Sequence, residues 1–165
     1  MLINNEPIIT EFDLRDTVGY CIVTKALGTG TYQTPFGYPY DFYTNTTKDE
    51  IKVRNKAYKT LDVEYSKLGE LLLEEYEDKK RGANYKYLIH YVVVPENKMY
   101  TIELHSIIDN HTYEVVEWPE STCGNKDKKK KLIYKIPINE WKSTPCDCTN
   151  YNNWIIKGKL KYKIK

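Results

Sequence analysis

Four residues between positions 85 and 118 have the types and spacing for hydrolytic chemistry: His90, Glu103, His105 and Glu114. Alternating Tyr, Ile and Val with turn residues between them predicts a three-stranded antiparallel meander here. Its strands run over 85–94, 99–108 and 111–118, with turns at Pro95-Glu96-Asn97-Lys98 and Asp109-Asn110. A four-residue first turn sets Val94 opposite Met99 and His90 opposite Glu103. A two-residue second turn sets His105 opposite Glu114. Side chains two apart share a face of a strand, so all four would project from one side. Two imidazoles and two carboxylates at that range suit a divalent metal, or a base and an acid for hydrolysis. The same pairs also serve simply to stabilise an exposed sheet face.

A second candidate is the C-terminal segment, where Lys157, Lys159, Lys161, Lys163 and Lys165 alternate with Ile156, Gly158, Leu160, Tyr162 and Ile164. Period two makes one face a lysine row and the other core. Same-face residues recur every ~6.7 Å, near the spacing of successive phosphates on an extended single strand. Lys128 and Lys130, in a lysine-rich loop over 124–131, extend that basic surface. Lysines on an edge strand also discourage pairing with another chain. The third candidate is the loop over 28–47, whose Tyr32, Phe36, Tyr38 and Tyr40 could anchor a protein partner.

Other chemistry is set aside. Gly28-x-Gly30 lacks the third glycine of a dinucleotide loop and the Gly-Lys-Ser/Thr of a phosphate-binding loop. Cys146-x-Cys148 with Cys123 offers three zinc ligands where a structural site needs four. Reduced thiols, or one disulfide under oxidation, are the simpler expectation. A restriction-nuclease-like pattern, an aspartate ahead of an acid-x-lysine, is not met around Glu103. No aspartate precedes it in the expected place, and His105 stands where lysine is wanted.

The elements that would position these residues begin with strands over 8–14 and 18–27. Three glycines and two prolines then prescribe an irregular stretch over 28–47. Thr47 and Glu50 have capping-box spacing, and Ile51, Tyr58, Tyr65 and Leu72 recur every seven residues with Leu61 and Leu68 beside them. The pattern predicts helix over 48–81, bent or broken near Ser66–Gly69, with Lys79, Lys80, Arg81 and Gly82 closing it. Its stripe should pack on Tyr87, Ile89 and Tyr91. Strands over 132–138 and 154–165 complete the expectation. The fold class is therefore α+β, a mostly antiparallel sheet covered on one face by a long helix or helix pair, in a single domain over 1–165.

Composition narrows the function classes. The net charge of +2 names no polyanionic partner by itself, and only three of the 25 basic residues are arginine. Arginine's fork reads guanine edges and lysine does not, which disfavours sequence-specific DNA readout. No apolar run approaches the ~20 residues of a membrane span. The start, Met-Leu-Ile-Asn-Asn-Glu-Pro, lacks the features of a secretory signal, so a cytoplasmic setting with reduced cysteines is expected. The excess of Tyr, Lys, Ile and Asn resembles small proteins of A+T-rich viruses and mobile elements. The leading expectation is a non-enzymatic protein touching nucleic-acid backbone through lysines, without a cofactor. A metal-dependent phosphodiesterase using the His/Glu cluster, and a protein-interaction or inhibitor module using the aromatic loop, stand beside it.

Overall fold

The computed structural model describes residues 2–3, 6–7, 11, 23–28, 30–119 and 127–148. It is α+β, built on a mixed six-stranded sheet and a three-stranded antiparallel sheet. After a short pair, β1 (Leu2–Ile3) and β2 (Glu6–Pro7), residues 23–27 are helical rather than extended. The stretch over 28–47 holds a small hairpin, β3 (Tyr32–Gln33) with β4 (Phe42–Tyr43). β5 (Thr47–Arg54) and β6 (Thr60–Glu64) precede the helix α1 (Tyr65–Lys80). β7 (Lys86–Val93) and β8 (Lys98–Glu103) form a hairpin, followed by the short helix α2 (Leu104–Asn110). β9 (Glu114–Pro119), β10 (Lys128–Pro137) and β11 (Lys142–Pro145) complete the described chain.

The larger sheet has the order β11-β8-β7-β5-β4-β3, and β5–β7 is its one parallel pair. The smaller sheet has the order β6-β10-β9. Alternation along β7 sends Tyr87, Ile89, Tyr91 and Val93 to one core, shared with Leu68 and Leu71 of α1 and with Tyr134 and Ile136 of β10. Val92 joins Phe42, Ile51, Val53, Met99, Cys146 and Cys148 in a second core on the opposite face.

Three expectations are corrected. The helix begins at Tyr65 and not at position 48, because 47–54 alternates: Lys48, Glu50 and Lys52 on one side, Asp49, Ile51 and Val53 on the other. Period two with β-branched Ile51 and Val53 outweighs the seven-residue recurrence. The expected break near Ser66 is thus the start of the helix. Its end is as expected, with Gly82 at φ +77 and the Ala83 amide donating to the Asp78 carbonyl at 2.9 Å. The third strand of the meander is absent from that sheet, because Leu104, Ile107 and Ile108 have helical spacing and form α2. The expected loop over 124–131 is strand from Lys128 onward.

Candidate active site

The four residues of the expected His/Glu cluster do not meet. His90 pairs with Thr101, not Glu103, because the chain closes with Val93 opposite Lys98. That register differs by two residues, so faces are kept and partners are lost. His90 is 1% exposed, and both its ring nitrogens are engaged, Nε2 at 2.7 Å from Asp49 Oδ1 and Nδ1 at 2.7 Å from Thr101 Oγ1. Glu103 stands opposite Leu88. His105 lies on α2, its Nε2 at 2.9 Å from the Glu75 carboxylate. Glu114 lies in the other sheet, 2.6 Å from Lys135 Nζ. Each histidine is a structural partner to a carboxylate at its own place in the fold.

Of the aromatic loop, Tyr40 is buried in the first core, whereas Tyr32, Phe36 and Tyr38 are exposed. Lys128 and Lys130 are exposed on β10. The lysine row, with Lys157, Lys159, Lys161 and Lys163, lies outside the described residues, as does Cys123. The buried Cys146 and Cys148 are free thiols with sulfurs 4.0 Å apart.

A different set of charges does come together. On β5, Lys48, Glu50 and Lys52 stand beside Tyr87, Ile89 and Tyr91 of β7, in the row that faces the first core. Charged side chains in such a row need partners, since burying an isolated charge is expensive. Lys48 finds them on α1, with Nζ 2.8 Å from Glu74 Oε1 and 2.7 Å from Asp78 Oδ2, ringed by Tyr40, Tyr85 and Tyr87. Tyr87 and Arg81 also donate to Asp78.

Glu50 is 4% exposed and opens instead on a cleft of about 730 Å³. Asp41, immediately before β4, lines the same cleft, as do Glu11, Lys52, Arg54, Lys67 and Lys131. β4 is short and leaves β5 amides on that side without strand partners. Asp41 Oδ2 accepts from the Ile51 amide at 2.9 Å, and Glu11 Oε1 accepts from the Val53 amide at 3.0 Å. These bonds hold both carboxylates against the strand that carries Glu50.

Burial pushes the Glu50 carboxyl up to about 7, with Asp41 adding to the rise against the opposing effects of Lys52 and Lys67. Lys52 Nζ lies 3.0 Å from Glu50 Oε1, and Lys67 Nζ lies 3.4 Å from the same oxygen. Burial works against the charge on Lys52, but the Glu50 carboxylate outweighs it and raises the ammonium above its ordinary range. Arg54 is held over the Tyr91 ring at 4.7 Å and donates to its hydroxyl at 3.2 Å.

Asp41 with Glu50-Ile51-Lys52 is the aspartate and acid-x-lysine pattern that is missing around Glu103. The signal was present in the sequence as an acid-x-lysine triplet, and it was hidden by reading 48–81 as helix. Among the described residues, no three His, Cys, Asp or Glu side chains are grouped to hold a metal ion. A closed zinc cage is therefore not what these residues build. Two hard carboxylates open to a wide cleft suit magnesium, which keeps several waters and takes one or two carboxylates plus substrate phosphates. Six acidic side chains line the cleft against four basic ones.

Comparison with family models, with curated proteins and with solved structures returns no match to this chain.

Proposed function

We propose that this chain is a divalent-metal-dependent hydrolase of phosphodiesters, with Asp41 and Glu50 as metal ligands and Lys52 as the electrostatic partner of the reacting phosphate. The reading rests on the buried Glu50 carboxylate, set beside Asp41 and Lys52 on the floor of a wide charged cleft. A bound magnesium ion would supply Lewis acidity and a water acidic enough to attack at neutral pH. Asp41 Oδ2 accepts from the Ile51 amide, which fixes the orientation of its carboxylate beside Glu50. The raised affinity of Lys52 for its proton makes it a cation at neutral pH, so it acts on charge developing at the phosphoryl oxygens rather than as a base. Arg54, fixed over Tyr91 with Nη1 donating to the Val53 carbonyl and Nη2 to the Tyr91 hydroxyl, adds a fixed positive charge to the cleft wall. Lys131 of β10 lines the cleft, whereas Lys128 and Lys130 alternate onto the other face of that strand.

The test is hydrolysis of bis(4-nitrophenyl) phosphate and of labelled DNA and RNA strands by the purified chain. Cleavage is expected with Mg²⁺ or Mn²⁺ and none with EDTA. Glu50→Gln, Asp41→Asn and Lys52→Ala should each lower the rate on the order of 10²–10³-fold, the size of loss seen when one electrostatic stabiliser is removed. Circular dichroism must show the variants folded. No hydrolysis of any phosphodiester under either metal sinks the reading.

A further inference from the structure

We infer that the cleft takes nucleic acid with unpaired bases, which stack on Phe36 and Tyr38 at its rim. The inference rests on the phosphodiesterase reading and names the substrate class of that same site. Both rings line the cleft that holds Glu50 and Lys52, yet Phe36 is 77% and Tyr38 55% exposed. Large rings displayed to water beside a charged cleft are a stacking platform, because every base has an apolar face and only an unpaired one can leave its own stack.

The platform is held in place. Gly37 sits at φ +99, a left-handed turn that L side chains rarely adopt, between Phe36 and Tyr38. The Tyr38 ring packs on Tyr40 at 5.7 Å between centroids, and buried Tyr40 in turn lies under Lys48 Nζ at 4.7 Å. Lys67 donates to the Pro39 carbonyl at 3.2 Å while its ammonium stands 3.4 Å from Glu50. One lysine thus ties the aromatic loop to the carboxylate floor. With the divalent cation of the phosphodiesterase reading set against the acidic excess of the lining, Lys52, Arg54, Lys67 and Lys131 in the same cleft can meet a backbone, and the rings provide for its bases. A duplex offers the charges but not the base faces.

The experiment uses 12-nucleotide single strands of DNA and of RNA, phosphorothioate-linked to resist hydrolysis, each carrying one 2-aminopurine, in Mg²⁺. Stacking quenches that fluorophore. Quenching is expected with the unaltered chain, and Phe36→Ala and Tyr38→Ala should each weaken binding about 5- to 150-fold. A duplex of the same sequence should bind less tightly and change by no more than about twofold, since its contacts are to phosphates. The DNA and RNA arms show whether one sugar is preferred. Equal binding of single and double strands, binding indifferent to both substitutions, or no binding at all would overturn the inference. Cleavage of ordinary strands is scored separately. Cleavage without single-strand preference removes only the stacking rim, and quenching without cleavage removes only the hydrolase reading.

Discussion

Lys67 on α1 and Glu50 on β5 stand 3.4 Å apart across the floor of the cleft, joining a helix and a strand at the point where the carboxylate is most deeply buried. The contact leaves Glu50 partly neutralised by Lys52 and Lys67, yet its carboxyl still sits near 7 because burial outweighs both.

That balance makes stability depend on pH. A carboxyl raised in the folded chain is most stabilising when protonated, so its contribution is full below the unfolded value of 4.5 and is lost as pH rises through about 7. The rise corresponds to on the order of 3 kcal/mol. Without metal, the unaltered chain should lose stability relative to Glu50→Gln between pH 5 and pH 8 (roughly the window set by this shift). Magnesium at about 100 times its Kd should restore about 2.7 kcal/mol to the unaltered chain and nothing to Glu50→Gln. Denaturant melts at several pH values, with and without Mg²⁺, check both; parallel curves for the two proteins would contradict the burial of Glu50.

The Lys48 network should be structural. Burial pushes the Asp78 carboxyl up, but hydrogen bonds from Lys48, Tyr87 and Arg81 outweigh it and hold it below its usual range. Stability from Asp78 is therefore present above its unfolded value and lost as pH falls through the folded one. Lys48→Met removes the cation paired with Glu74 and leaves Asp78 to Arg81 and Tyr87, and should destabilise by about 3–5 kcal/mol. A loss under about 1 kcal/mol in chemical denaturation would mean that the carboxylates are satisfied by other means.

Leu68 of α1 is buried in the core that also holds Tyr87, Ile89, Tyr91, Tyr134 and Ile136. Leu68→Ala should cost about 2–5 kcal/mol through lost burial and the cavity left behind. Leu72, in the same stripe, is partly exposed, and Leu72→Ala should change stability by no more than about 0.5 kcal/mol. Urea melts of the two variants decide which leucine faces the core.

Glu103 serves as a control, since it stands opposite Leu88 rather than among the histidines. Glu103→Gln should leave metal-dependent hydrolysis within about twofold of the unaltered chain, in keeping with a side chain outside the reacting site. An activity loss as large as that of Glu50→Gln would return the chemistry to the histidine hairpin.

Exposed Lys128 and Lys130 should act on nucleic acid through charge alone. Replacing both with alanine should lower the log–log salt slope of single-strand binding by about 1.4, at ~0.7 per contact, alike for all sequences. An unchanged slope in fluorescence titrations over a range of salt would remove these lysines from the binding surface.

Local pattern determined a good part of this protein. The end of α1 was legible in Lys79, Lys80 and Gly82, because capping and the helix dipole act within one turn. The β7–β8 hairpin was legible in its alternation, and its face assignment survived a two-residue error in register, since side chains repeat every second residue. Glu50-Ile51-Lys52 and Asp41 were present as residue types from the start. Only the tertiary structure decided that they belong together. Thr47–Arg54 reads as helix or strand from its spacing, and the choice falls to strand by pairing in parallel with β7, across a long intervening segment that no local pattern specifies. That pairing places Glu50 beside Ile89 and Lys52 beside Tyr91, while the short β4 brings Asp41 to the Ile51 amide. Burial of the carboxylate, and hence its chemistry, follows from those long-range contacts and not from the spacing of letters.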